Sequence, residues 1–193
     1  MTYGLTYVIL FRDGYNVEIY NKQILEYEGV YLLAFKEFQN DLSTGESLTV
    51  EFKSWINAKD MRERISLAVD ELIAFANAKG GTLYMGVEDN GLVTGCVNYD
   101  CQRIMEAIYD RTRPPLFTEI EVISYNNMDV LAISVKHDGN TYATTDGKCL
   151  KRLGRNSKPY YPDEMSNKYT TIQNPDFSER VIQINSLLQA YFL

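Results

Sequence analysis

Residues 46–95 read ESLTVEFKSWINAKDMRERISLAVDELIAFANAKGGTLYMGVEDNGLVTG, and the hydrophobic period changes twice within them. An alternating run at 48–53 gives way to a helical pattern and then to a second alternating run. The chain is therefore constrained to build a strand–helix–hairpin unit. Asp60 has the character of an N-cap, and Glu63 three residues on completes a capping box. Met61, Ile65, Ala68, Val69, Leu72, Ile73 and Ala76 recur at helical spacing, which predicts one apolar stripe on a helix running to about Asn77. Lys79-Gly80-Gly81 ends that helix, because glycine tolerates the left-handed conformation beyond a helix C-terminus. A strand over 82–88, a tight turn at Asn90-Gly91 and a return strand over 92–97 are expected to follow.

The same unit carries the first candidate site. On a strand alternate residues share a face, so Glu51 and Lys53 point together while Phe52 points to the core. Glu46 falls on the opposite face of an ideal strand and reaches Glu51 only if the chain bends near Gly45. Asp89 enters the turn, a position where aspartate commonly bonds backbone instead of ligand. If Glu46, Glu51, Asp89 and Lys53 converge, they can hold a divalent cation and a phosphate. If they do not, the unit is part of a small binding module and Glu51–Lys53 is an ordinary ion pair.

Length and composition set the frame around this unit. The 193 residues suffice for one domain with an extension, and 45% apolar with 23% charged residues is a globular balance. No apolar run is long enough to span a bilayer, and the start lacks the basic segment and small-residue cleavage site of a signal peptide. Three cysteines without paired spacing fit a reducing cytoplasm. The net charge of −7 argues against a generally basic nucleic-acid binder. A local patch is still present, since Lys148, Lys151, Arg152, Arg155 and Lys158 stand together with no acid among them. Such a block is either a solvated loop or a phosphate-binding surface.

Before residue 42, the runs LTYVILF, NVEIY, QILEYE and VYLLAF, separated by Asp13-Gly14, Asn21-Lys22 and Glu28-Gly29, predict a β-rich extension over 1–41. Beyond residue 97, a second amphipathic helix is expected from Asp100 to Arg111, stopped by Pro114-Pro115. Strands at 117–124 and 128–136 should then turn at Asn126-Asn127. The segments 141–144 and 148–153 predict a hairpin around Asp146-Gly147. The loop Arg152-Leu153-Gly154-Arg155-Asn156-Ser157 is of the kind whose backbone N–H groups and side chains hold an anion. A short helix is expected from Pro162, and a last helix from Asp176 gives a C-terminal helical segment at 166–193. The apolar end LLQAYFL suits docking, a dimer contact or a cut from a longer protein.

With EFK, then AFANAKGGTLYMGVEDNGLVTG, then KRLGRNS, the stretch 42–165 resembles the Schlafen family and its bacterial relatives with an AlbA-like domain. The resemblance implies an α+β fold, a mixed sheet with packed helices, and binding to DNA or RNA. In residue type, order and spacing, Glu46, Glu51 and Asp89 resemble the acidic triad of metal-dependent endoribonucleases in that family, which act on tRNA and rRNA. Mg²⁺ or Mn²⁺ would then sit on the three carboxylates and Lys53 would meet the scissile phosphate. Lys148, Lys151, Arg152, Arg155, Asn156 and Lys158 would hold the flanking backbone. The zinc site of animal members is not expected, because His137, Cys96, Cys101 and Cys149 lack the usual short pairings.

The alternative is a non-catalytic DNA- or RNA-binding transcriptional regulator using the same basic loop. A protein-interaction module is a third reading. Animal members pair two related lobes, so a single copy would form a homodimer to build an equivalent groove.

Overall fold

The computed structural model describes residues 22–165. In chain order these form α1 (Lys22–Thr44), β1 (Val50–Lys53), α2 (Met61–Ala76), β2 (Gly80–Met85), α3 (Cys101–Asp110), β3 (Thr112–Arg113), β4 (Glu119–Tyr125), β5 (Met128–Lys136), β6 (Ala143–Thr144), β7 (Leu150–Leu153) and β8 (Asn156–Pro159). The central sheet has the order β1-β2-β5-β4. β1 and β2 run parallel, which requires a crossover, and α2 supplies it. The β2–β5 and β5–β4 pairs are antiparallel. The fold is thus α+β with a mixed sheet, as expected. No helix among the described residues is long and apolar enough to cross a membrane.

Period two divides the sheet into two cores. Leu83, Met85, Leu131 and Ile133 pack with the stripe of α2 and with Ile104 and Ile108 of α3. Val50, Phe52, Tyr84, Val130 and Ala132 pack on the other face with Phe38 of α1. Strand β5 is covered on both sides, which is why Val130 to Ile133 is a continuous buried apolar run rather than an alternation. Helix α2 starts where expected: Asp60 Oδ1 accepts from the Glu63 N–H at 2.9 Å, and Glu63 Oε2 accepts in return from the Lys59 N–H at 2.7 Å. At its far end Gly80 has φ +78°, and a Cβ there would stand 2.7 Å from the Val135 carbonyl oxygen. On Gly81 a Cβ would meet the Thr49 oxygen at 2.6 Å and the Phe75 ring at 2.7 Å. The glycine pair lets β2 slide between β5, β1 and α2.

Three expectations need correction. Residues of QILEYE and VYLLAF form helix, not strands, so the β-rich extension does not hold over 22–38; LTYVILF and NVEIY lie outside the described residues, as does the helix expected from Asp176. The reason is tertiary. Ala34, Phe35, Phe38 and Leu42 fall on one side of a helix, and that side covers the sheet. Phe38 is fully buried, 5.0 Å from the Tyr84 ring centroid and 5.5 Å from that of Tyr125. Asp41 accepts from the Tyr84 hydroxyl at 2.8 Å.

Secondly, 92–97 is not a full return strand. It makes one bridge, Val87↔Val93, and then crosses to β5. The Thr94 and Gly95 N–H groups both donate to Gly86 O, and the Cys96 N–H donates to Asp129 O at 2.6 Å. Thirdly, 141–144 and 148–153 are not paired with each other. The turn at Asp146-Gly147 closes only Thr144 against Lys148, after which β6 pairs with β3 and β7 with β8.

Asn77, the C-cap of α2, separates those two segments. Its Nδ2 donates to the carbonyls of Tyr142 and Leu150, both at 2.7 Å, and its Oδ1 accepts from the Tyr142 N–H at 2.7 Å. The carboxamide takes the bonds that a hairpin would have made across the same gap. Asn77→Ala leaves those buried groups unpaired and should lower the unfolding free energy by roughly 2–4 kcal/mol in urea denaturation, whereas an ordinary surface substitution moves it by about 0.5 kcal/mol or less.

Candidate functional site

Strand β1 lies at the edge of the sheet and points two ionisable side chains at the face that α2 covers. Its Val50 and Phe52 join the α1 core, so Glu51 and Lys53 necessarily face the other way, beside Leu83 and Met85 of β2. Charges brought against an apolar face need partners. Glu71 of α2 and Arg152 of β7 provide them.

The four groups close a ring of alternating charge. Lys53 Nζ pairs with Glu51 Oε1 and lies 3.6 Å from Glu71 Oε1. Arg152 Nη1 donates to Glu51 Oε2 at 2.6 Å and to Glu71 Oε2 at 3.0 Å. Each carboxylate therefore has one oxygen on the lysine and the other on the arginine. Ser157, directly opposite Arg152 in the β7–β8 register, donates to Glu71 Oε2 at 2.5 Å. The second arginine nitrogen, Nη2, donates to the carbonyls of Ser47 at 2.7 Å and Val50 at 3.4 Å. The guanidinium carbon lies 4.7 Å from the Phe75 ring centroid. Only 1% of the Arg152 side chain and 6% of that of Glu51 is exposed, so water screens this ring weakly.

Burial pushes the Glu51 carboxyl up from its ordinary value, and the neighbouring Glu46 adds to the shift. Hydrogen bonds from Lys53 and Arg152 offset only part of it. Burial alone would lower the Lys53 ammonium; Glu51, Glu71 and Glu46 outweigh it and hold Lys53 above an ordinary lysine.

Gly45 (φ +80°) ends α1, and the Ser47 N–H turns back to Val50 O at 2.9 Å. This bend brings Glu46 to the outer edge of β1, where its Oε1 accepts from the Phe52 N–H at a long 3.4 Å. Asp89 sits exposed in the turn beyond β2 and makes no side-chain hydrogen bond or ion pair among the described residues. Its neighbour Glu88 faces inward instead, accepting from Asn57 Nδ2 at 2.9 Å and Thr94 Oγ1 at 2.8 Å. Glu46 and Glu51 are thus brought near one another and Asp89 is not added to them.

Among the described residues, no three His, Cys, Asp or Glu side chains gather closely enough to hold a metal ion. The donor chemistry agrees. Both oxygens of Glu51 are engaged by cations, so in this arrangement the three carboxylates do not fit Mg²⁺ or Mn²⁺. The sulfur and imidazole groups are dispersed. Burial pushes the Cys96 thiol up to about 12, Cys149 donates to the Tyr142 carbonyl, and His137 Nδ1 lies 2.6 Å from the Ala76 carbonyl oxygen.

The basic cluster is divided by the hairpin. Arg152 faces inward and is a correction to the expected surface patch: period two places it on the face of buried Leu150, and the ring above holds it there. Lys148 pairs with Asp70. Lys151 pairs with Glu164 and stands 5.1 Å from the Tyr160 ring centroid. Arg155, Asn156 and Lys158 are exposed, with no ion pair on either cation among the described residues. Glu71 and Asn77 were absent from the expected site, and Ser157, expected in an anion-holding loop, donates inward to Glu71 instead. The burial of Leu150 two residues before Arg152 is the signal that could have turned the arginine inward.

The similarity to known proteins follows this same core. A family model described as Schlafen, AlbA_2 matches residues 46–161, more than half of the chain. The chain belongs to the Schlafen AlbA_2 family. The matched stretch contains the ion ring, the three expected carboxylates and the β7–β8 hairpin, and it ties the domain to nucleic-acid-related function. Among solved structures, the DIP2311 protein of Corynebacterium diphtheriae shares the fold at a TM-score of 0.52 and 22% identity, over 58% of this chain and 22% of that one. The N-terminal domain of a RecG-related protein from Nitrosomonas europaea is similar at a TM-score of 0.46 and 17% identity, over 67% of this chain and 92% of that one. No curated protein matches the chain.

Removing one member of a buried ring leaves its partners uncompensated. Arg152→Met should lower stability by about 3–5 kcal/mol, and adding Glu51→Gln should restore part of the loss. A loss in the double variant equal to the sum of the losses in Arg152→Met and Glu51→Gln alone, measured by denaturant unfolding, would show that the ring is not coupled.

Proposed function

We propose that this Schlafen AlbA_2 domain binds nucleic acid through the phosphate backbone and does not cleave it, with the tip and outer face of the β7–β8 hairpin as the contact. The observation that carries this reading is the division of labour along the hairpin. Arg152 and Ser157 anchor it from beneath, while Arg155 and Lys158 extend from it with no carboxylate partner among the described residues. Asn156 stands beside them with an amide that can donate to a phosphate oxygen.

The charge balance bears on strength. Lys148 and Lys151 already pair with Asp70 and Glu164, and the whole chain carries −7. Within the 148–158 cluster two cations, Arg155 and Lys158, are left to displace counterions, so binding through the hairpin belongs in the non-specific range of about 10⁻⁴–10⁻⁶ M at physiological salt. The endoribonuclease expectation would need Glu51 to leave both cations and Asp89 to approach it. The engagement of Glu51 favours the non-catalytic reading. DNA and RNA are both open to it, because phosphate contacts carry no base information.

The test is fluorescence polarisation with a short labelled single-stranded RNA and its DNA counterpart over a salt series. Affinity should fall with salt, and Arg155→Ala and Lys158→Ala should each weaken binding and flatten the slope by roughly 0.7. A wild-type protein that binds neither oligonucleotide, or a slope unchanged in the double variant, would count against the hairpin. RNA cleavage with Mn²⁺ that disappears in Glu51→Gln would overturn the non-catalytic reading.

A further inference from the structure

One aromatic ring stands out from the surface at a place the hairpin does not explain. Phe117 is 80% exposed, although the residues around it are firmly held. Leu116 beside it is buried, and its N–H donates to Thr112 Oγ1 at 2.8 Å. That hydroxyl, on a fully buried threonine, donates in turn to the Ile108 carbonyl at 3.0 Å. The backbone therefore presents Phe117 outward by construction. The ring meets Tyr109, itself 42% exposed, at a centroid distance of 5.3 Å and 68°, an edge-on contact that orients it while leaving most of it to solvent.

Phe117 also lines a groove of about 360 Å³ at the sheet margin, together with Thr118, Glu119, Ser134, Lys136, Tyr142 and Asp138, whose carboxylate already accepts from the Tyr142 hydroxyl at 2.7 Å. That size lies within the range of small-molecule sites. The Thr118 hydroxyl, buried in its wall, has no hydrogen-bond partner among the described residues. At the rim Lys136 is 3.7 Å from Glu119, with the two side chains 90% and 75% exposed, so this cation is readily redirected. Arg113, four residues before Phe117, is exposed and has no ion pair among the described residues.

We propose that Phe117 is a stacking platform for one unstacked base of a single-stranded nucleic acid, with the base in the groove and Lys136 and Arg113 on the flanking phosphates. The inference rests on the nucleic-acid-binding reading above and gives it a substrate class. A single strand is the occupant because its bases have free π-faces, whereas a duplex has already stacked them. The groove is separate in sequence from the hairpin, on β2, β4, β5, the segment before β4 and Tyr142 ahead of β6, but both are fastened to the same residue. Asn77 bonds the backbone of Tyr142 in the groove and of Leu150 at the start of β7.

The experiment compares single-stranded and duplex DNA of equal length by fluorescence polarisation, using the full chain. Phe117→Ala should weaken single-strand binding roughly 5- to 100-fold, with duplex binding and the unfolding midpoint unchanged. Phe117→Tyr, which keeps the ring, should bind like wild type. Single-strand affinity unchanged in Phe117→Ala, while Arg155→Ala still weakens it, would overturn the stacking platform and leave the hairpin reading intact. An equal loss on single strand and duplex would also overturn it. If the wild type binds neither form, both readings fall.

Discussion

The guanidinium of Arg152 is the point through which the parts of this domain are joined. It meets a carboxylate from β1, a carboxylate from α2, a hydroxyl from β8 and the backbone ahead of β1, all from a base on β7. Arginine suits the position because a planar fork serves several acceptors in fixed directions, which a lysine ammonium cannot do. The β7–β8 pair is too short to be stable alone. Its attachment to the sheet runs through this side chain, through Asn77 and through Leu150. The ring also resolves the problem of an edge strand. Backbone groups at the outer side of β1 are met by Arg152 and Glu46 instead of standing open to another chain.

A buried, mutually paired ring is a weak source of net stability but a strong source of definition. Any other placement of β7 over β1 and α2 would bury Glu51 or Arg152 without its partner. The domain therefore has little freedom in where it holds Leu153 to Asn156. On this account the charged groups of the family stretch have two separate duties. Glu51, Lys53, Glu71 and Arg152 fix the hairpin, and Arg155 and Lys158 are what it displays.

Local chemistry made much of this legible. The Asp60–Glu63 cap, the stripe of α2, the Gly80-Gly81 entry to β2 and the Asn126-Asn127 turn, with φ of +50° and +62°, are all set by residues close in sequence. What was not legible depends on which surface meets which. The run QILEYE–VYLLAF alternates well enough to read as strands, and only the sheet face that receives Phe38 selects the helix. Arg152 counts as a cation in any sequence window, but its charge has no outward effect once Glu51 and Glu71 enclose it. The Glu46–Glu51–Asp89 spacing likewise carries no information on whether Glu51 has both oxygens free. Even Asn77, visible in the AFAN motif, discloses its role only when Tyr142 and Leu150 are found on either side of it.

Whether Glu51 belongs to the ion ring or to a cation site is tested directly with Mn²⁺. Electron paramagnetic resonance of free Mn²⁺, titrated with the full chain at micromolar concentrations, reports binding as loss of the hexaaquo signal. If both oxygens of Glu51 stay on Lys53 and Arg152, the signal in the presence of wild-type protein matches that with Glu51→Gln. A signal lost with wild type and recovered with Glu51→Gln would contradict membership of the ring, and would return the three carboxylates to a metal-binding role.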